Sequence, residues 1–215
     1  VSLTGDEQAR VVDLLAEIVP RVMREEFRGA VNGLCLNASR VGFEALRYFE
    51  IGVEPVVLSA IAANREWLQW RAKWDVDGIF KPEEAMPEEA WSVALGFDQN
   101  PSQLGGSGYD AHLALAVGEG GYLLLDLDAG QMGRPEHGIH IEPAVVVPWD
   151  GEQAWVDLPD GGGVAYGRHV AKGSGLPNYR QAGGWRKSGR YVGPVIREVR
   201  SRLNSPATIT ATPTD

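Results

Sequence analysis

The sequence predicts an α+β fold in which N-terminal helices pack on an antiparallel β-sheet. Apolar residues recur at helical spacing in the segments 6–28, 36–50 and 64–74. From residue 91 onward the pattern becomes strand-like, with short glycine-rich joints of the kind that close β-hairpins. Helices first and strands later argue for α+β rather than an alternating, doubly wound sheet. A third observation fixes where chemistry would sit. The stretch Gly33-Leu34-Cys35-Leu36-Asn37-Ala38-Ser39 carries the only cysteine of the chain, after a glycine turn and before an apolar helix pattern.

Taken in order, the first helix spans residues 6–28, with Val11, Leu14, Leu15, Ile18 and Val22 on one face. Thr4 to Asp6 supply caps, and Pro20 predicts a kink or a division. Arg28-Gly29-Ala30 breaks the pattern. The second helix covers 36–50, with Leu36, Val41, Ala45, Leu46 and Phe49 as its apolar stripe and Gly52 as its stop. Residues 53–62 are rich in β-branched side chains and predict a strand, with Pro55 near its start. In 64–74, Trp67, Trp70 and Trp74 fall three and four apart, on one helical face. Such rings pack on a core or form an aromatic wall beside a cleft. Residues 75–90 are acidic and contain Pro82 and Pro87, which predicts an exposed loop with Glu83, Glu84, Glu88 and Glu89 solvated.

The strand region starts with Trp91 to Phe97, followed by a Gly/Ser/Pro/Asn loop from Gln99 to Gly108. Tyr109 to Val117 and Tyr122 to Asp128 make a hairpin across Gly118-Glu119-Gly120-Gly121. Further strands are predicted at 143–149, 154–158 and 163–167. Residues 171–189 read as irregular, and 191–203 as a last short helix. The segment 1–204 reads as one domain and 205–215 as a disordered tail rich in Thr, Pro and Ala.

Composition narrows the function classes. A net charge of −9 and a pI near 5.0 argue against a general nucleic-acid or anionic-membrane binder. No apolar run is long enough for a transmembrane helix. No signal-peptide pattern is visible, and a single cysteine fits a reducing compartment, so a cytoplasmic location is expected.

A thiol at a helix start feels the positive end of the helix dipole, where a cysteine can act as a nucleophile. The hairpin offers it a base and an acid. His112 opens one strand and the partner strand ends in Asp126-Leu127-Asp128. The beginning of the first strand lies opposite the end of the second, so His112 neighbours Asp126 or Asp128. The two aspartates share a face, and alternation leaves both open. Such an acid would fix the imidazole tautomer, and the imidazole would draw the proton from the thiol.

These residues resemble the transglutaminase-like superfamily. Gly33-x-Cys35, with Ser39 and Arg47 downstream, is similar to its nucleophile helix, and Gly52 with Pro55-Val56-Val57 to the continuation after it. His112 opening a strand, then Gly121-Tyr122 and Asp126, is similar to its His and Asp motifs. Asp126-Leu127-Asp128-Ala129-Gly130-Gln131 also resembles the Asp segment of arylamine N-acetyltransferases. The resemblance spans residues 30–131 and implies a papain-like α+β fold with Cys35 as nucleophile, His112 as base and Asp126 as the orienting acid. Asp128 is the second choice. It implies acyl transfer or amide hydrolysis through a Cys35 thioester, on a peptide or small amide or acyl substrate, without a cofactor. Asn32 and the backbone N–H of Cys35 are candidate oxyanion donors, and Gln131 reads as a pocket or solvent-facing residue.

Two other readings compete. The fold can be a binding or structural module without activity, with the Trp-rich 67–74 segment and the acidic 75–90 loop as its partner surface. Alternatively His137 and His140, beside Glu136 and Glu142 and with His169 converging, would make a metal hydrolase. Trp149, Trp155 and Trp185 read either as core caps or as cleft walls.

Overall fold

In a computed structural model of the chain, helix α1 (Gly5–Glu26) begins at the cap that its sequence supplies. The structure describes residues 3–27, 34–76, 79–96, 111–169 and 179–205. The Thr4 hydroxyl accepts the Glu7 N–H at 3.3 Å, and the Glu7 carboxylate accepts the Thr4 N–H at 2.8 Å, a reciprocal capping box. Pro20 neither divides nor ends the helix, which runs on for six residues past it. Pro20 is buried with Ile18, Val19 and Met23, so packing holds the turn whose hydrogen bond the proline forgoes.

Helix α2 (Cys35–Tyr48) begins one residue earlier than the periodicity predicts, so Cys35 is its first residue. No side chain caps it, and its first carbonyl-bound amide is Ala38 N–H on Leu34 O, at 2.9 Å. The earlier amides of that turn therefore have no partner within the helix. Gly42 lets α2 lie close on the sheet: a Cβ there would come within 2.4 Å of Leu127 Cδ1 and 2.9 Å of Leu115 Cδ1.

Strand β1 (Val53–Ala63) is the longest strand and the organiser of the sheet. Its first half pairs antiparallel with β5 (His112–Val117), setting Val53 opposite Val117 and Leu58 opposite His112. Its second half changes partner on that edge to β4 (Ser92–Leu95) and pairs on the other edge with β9 (Gly163–Arg168). Gly96 occupies the joint between the two partners. Its φ is +72°, and a Cβ would lie 2.4 Å from the Leu58 carbonyl oxygen, so only glycine fits without movement. With β6 (Leu123–Asp126), β7 (Val145–Pro148) and β8 (Gln153–Asp157), the strand order is β7-β6-β5-β1-β9-β8. The antiparallel sheet is nearly closed, because β7 and β8 approach each other.

Alternation divides the sheet residues between two cores. Leu115, Val117 and Leu125 face α1, α2 and α5 (Val192–Asn204), packed with Leu15, Ile18, Leu46 and Val195. Ala114, Ala116 and Leu124 face the inside of the curved sheet with Leu58, Val164 and Tyr166. The predicted α+β order of helices and antiparallel strands is thus present, and no described helix is long and apolar enough to cross a membrane.

Helix α3 (Arg65–Trp74) differs from the core-packing expectation, since none of its residues is buried. Trp70 meets Phe80 edge-on at 5.2 Å, and Arg71 lies over Trp67 and Phe80. The aromatic face therefore serves a two-strand ribbon, β2 (Asp75–Val76) and β3 (Ile79–Phe80), within the segment read as loop. The acidic residues Glu83, Glu84, Glu88 and Glu89 are exposed as expected. Asn64 anchors this region. Its Oδ1 accepts from Trp67 N and Trp91 N, and its Nδ2 donates to Glu89 O and His137 O. The segment 171–189, read as irregular, contains the short helix α4 (Gly183–Lys187). The predicted turn at Arg28-Gly29-Ala30 and Gly33, the loop from Gln99 to Gly108 and the tail beyond residue 205 lie outside the described residues.

Candidate functional site

The site lies where the N-terminus of α2 meets the start of β5. His112 and Asp126 are both fully buried as side chains, and His112 Nε2 lies 2.7 Å from Asp126 Oδ2. The observed β5–β6 pairs, Leu115 with Leu125 and Val117 with Leu123, continue to a register that sets Asp128 directly opposite His112. The hydrogen bond goes instead to the diagonal neighbour, Asp126. β6 ends at Asp126, and the backbone then turns into a 3-10 turn at Ala129–Met132, so the strand pairing that would set Asp128 opposite His112 is not continued.

Asp126 is held on all sides. Its Oδ1 accepts the Asp128 N–H at 3.0 Å, and its Oδ2 accepts the Tyr166 hydroxyl at 3.0 Å in addition to His112. Tyr166 comes from β9, beyond β1, and reaches Asp126 across the inside of the sheet. Burial is the first reason that its phenol is raised well above the usual value, and the Asp126 charge and hydrogen bond add to it. Tyr166 therefore stays a proton donor.

Burial alone would press His112 toward the neutral form. The Asp126 charge and hydrogen bond, with a smaller contribution from the nearby Cys35, outweigh it and hold the imidazole well above its usual pKa. Cys35 is thus near enough to the imidazole to act on its charge. With Nε2 on Asp126, the other ring nitrogen, Nδ1, lies 3.0 Å from Gln131 Nε2. Of the three residues singled out in the sequence, His112 and Asp126 pair at 2.7 Å on neighbouring strands, and Cys35, the first residue of α2, clusters with Leu113, the residue after His112.

Asp128 is part of the same cluster in a different way. Its carboxyl is raised to about 7, by burial first and the Asp126 charge second, against the opposing His112 charge and a hydrogen bond from the Leu34 N–H. It thus sits against the residue that precedes Cys35, and its Oδ2 is buried without a hydrogen-bond partner. One aspartate orients the imidazole and the other closes the front of α2.

The surroundings are apolar. Cys35 clusters with Leu36, Leu113 and Trp185, with Val57, Tyr179 and Ala182 packed beside them. Trp185 comes from α4, meets Tyr179 at 4.8 Å and carries the Arg40 guanidinium at 5.3 Å. Ser39, one turn into α2, donates to the Leu113 carbonyl at 2.9 Å and ties the helix to β5.

Other candidates fall elsewhere. Asn32 lies outside the described residues. Gln131 is a site residue, its Nε2 3.0 Å from His112 Nδ1. His137 stacks on Trp91 at 3.4 Å, and His140 faces Asp160 at 3.5 Å, so the two histidines have separate partners. Among the described residues no three His, Cys, Asp or Glu converge as metal ligands. Trp185 is a wall of the Cys35 cluster, Trp149 is buried in the inner core, and Trp155 is exposed. Sequence reasoning missed Tyr166. Its one local signal is a phenol alternating with the buried Val164 on a strand, and only closure of the sheet gives it a partner.

Comparison with protein-family models, curated proteins and solved structures returns no match.

Proposed function

We propose that this chain is a cysteine-dependent enzyme of papain-like, transglutaminase-like architecture that transfers or hydrolyses acyl groups through a thioester at Cys35. The observation that carries the reading is the buried Asp126–His112 pair, with Cys35 close to the imidazole at the start of α2. Nothing in simple core packing calls for a fully buried histidine and carboxylate beside the chain's one thiol, since such groups are costly to bury.

In the reaction, the Cys35 sulfur attacks a substrate carbonyl carbon while its proton resides on His112 Nδ1. The carbon–heteroatom bond to the leaving group breaks, and His112 returns the proton to that group. Water or an amine then attacks the thioester, His112 takes its proton, and the Cys35 thiol is regenerated. Asp126 keeps Nε2–H engaged throughout and stabilises the imidazolium, and Tyr166 and the Asp128 amide keep Asp126 in place. The Cys35 N–H, at the open first turn of α2, is available to the oxyanion. The apolar wall of Leu36, Leu113 and Trp185 favours an uncharged acyl group and keeps the charges strong by excluding water.

The test is turnover of a p-nitrophenyl acyl ester and the matching anilide by the purified chain and by Cys35→Ala. Cysteine-dependent release of nitrophenol or nitroaniline is expected. Equal release by Cys35→Ala, or none by either protein, would refute the proposal.

A further inference from the structure

Charge is unevenly placed along this chain. The whole sequence carries a net charge of −9, yet residues 179–204 hold seven Arg and Lys residues against one carboxylate, Glu198. Glu198 is taken up by Arg21 of α1 at 2.6 Å, and Arg202 pairs with Glu17 of the same helix at 2.7 Å. These contacts serve the packing of α5 on α1. Arg186 and Lys187 are different. They end α4 exposed, and among the described residues neither pairs with a carboxylate.

The two cations directly follow Trp185, the buried wall of the Cys35 cluster. α4 rests on the first turn of α2: a Cβ at Gly184 would come within 2.7 Å of Asn37 Oδ1 and 3.3 Å of Leu36 Cβ. Leu36 is the residue after Cys35, so the end of α4 forms a rim beside the nucleophile's helix start. Arg40, farther along α2, lies over the Trp185 ring at 5.3 Å and has its own partner in Glu44 at 3.0 Å. The aromatic rings of this rim are not open faces. Trp185 is buried and already meets Phe43, Tyr179 and Arg40. What the rim offers a ligand is positive charge and N–H donors, not a platform for stacking bases.

We propose that Arg186 and Lys187 dock the acidic side chains of a peptide whose neighbouring uncharged residue presents its carbonyl to Cys35. This rests on the acyl-transfer reading and names its substrate class. The apolar wall takes the uncharged residue, and the flanking carboxylates meet cations that the chain's own acids leave unpaired. A peptide supplies the carbonyl and the carboxylates in one molecule. The negative charge of the rest of the protein repels such a peptide elsewhere and directs it to this rim.

The experiment compares three p-nitroanilides, acetyl-Glu-Glu-Leu, acetyl-Gln-Gln-Leu and acetyl-Lys-Lys-Leu, on the wild-type chain and two double variants, with circular dichroism to check folding. At low salt, kcat/KM should be about five- to ten-fold higher for the Glu-Glu peptide than for the Gln-Gln peptide, carried by KM. The two should converge in about 0.5 M NaCl. The difference should vanish in Arg186→Gln with Lys187→Gln. Arg186→Glu with Lys187→Glu should turn the preference to the Lys-Lys peptide, which a loss of folding cannot do. Equal turnover of the Glu-Glu and Gln-Gln peptides by the wild type, or a Glu-Glu preference that survives either double variant, overturns the inference and leaves the acyl-transfer reading standing. If no peptide and no p-nitrophenyl ester is turned over, that reading fails, and fluorescence anisotropy of the fluorescein-labelled peptides decides on the rim. Tighter binding of the Glu-Glu peptide that is lost in Arg186→Gln with Lys187→Gln supports it, and equal binding overturns it. An oligothymidylate of matched charge that binds as tightly as the Glu-Glu peptide overturns the assignment to a peptide.

Discussion

Replacing Asp128 with Asn gives a pH-dependent change in stability whose size follows from the site. The Asp128 carboxyl is raised to about 7 in the folded chain by burial and the Asp126 charge, against about 3.9 for an unperturbed aspartate. The folded state therefore holds this proton more tightly than the unfolded state. Stability from this group is fully present below the unfolded value and is lost as pH rises, until the folded value has been passed. A difference of ~3 pKa units corresponds to about 4 kcal/mol in total, of which about 3 kcal/mol falls between pH ~5 and pH ~8. Asn cannot ionise, yet it keeps an oxygen for the Leu34 N–H. Its stability curve should therefore lack this slope, whereas the contribution of the neighbouring His112 is common to both proteins. Urea denaturation of the two proteins across that range should show Asp128→Asn gaining about 3 kcal/mol on the wild type, and being the more stable protein at the alkaline end. Parallel curves would refute the argument that this carboxyl is buried and neutral beside Asp126.

Two further substitutions test the frame around the pair. Tyr166→Phe removes one of the three hydrogen bonds to Asp126 and should cost about 1–2 kcal/mol in urea denaturation, while Tyr122→Phe, at an exposed position, should be neutral. Asn64→Ala removes four hydrogen bonds that join α3, the segment before β4 and the turn at His137. It should cost about 2–4 kcal/mol, with the Trp67 and Trp91 amides losing hydrogen-exchange protection first.

The first two helices and the hairpin were legible because their information is local. Helical spacing in α1, a cap at Thr4 and a glycine-rich joint between β5 and β6 need no knowledge of the rest of the chain. The same locality limits what could be read. Asp126 and Asp128 share a face, and only the place where β6 ends assigns the imidazole to the first and the front of α2 to the second. Tyr166 lies 40 residues from Asp126 along the chain, and closure of the sheet, not spacing, makes them partners. Trp185 belongs to a five-residue helix without a capping side chain, too short to register as a period. The three tryptophans of α3 do share a helical face, but the face packs on a ribbon that two-residue strands do not announce. Pro20 gave a break signal that the buried face of α1 overrides.

The most direct test is a covalent one. The chain should be mixed with a p-nitrophenyl acyl ester, quenched in acid within the first turnovers, and read by intact-mass spectrometry and peptide mapping. A single acyl group is expected on the peptide that contains Cys35, labile to hydroxylamine, and absent from Cys35→Ala and His112→Ala. Acyl groups on lysine or tyrosine only, or a Cys35 adduct that forms equally fast without His112, would contradict the role given to the buried pair.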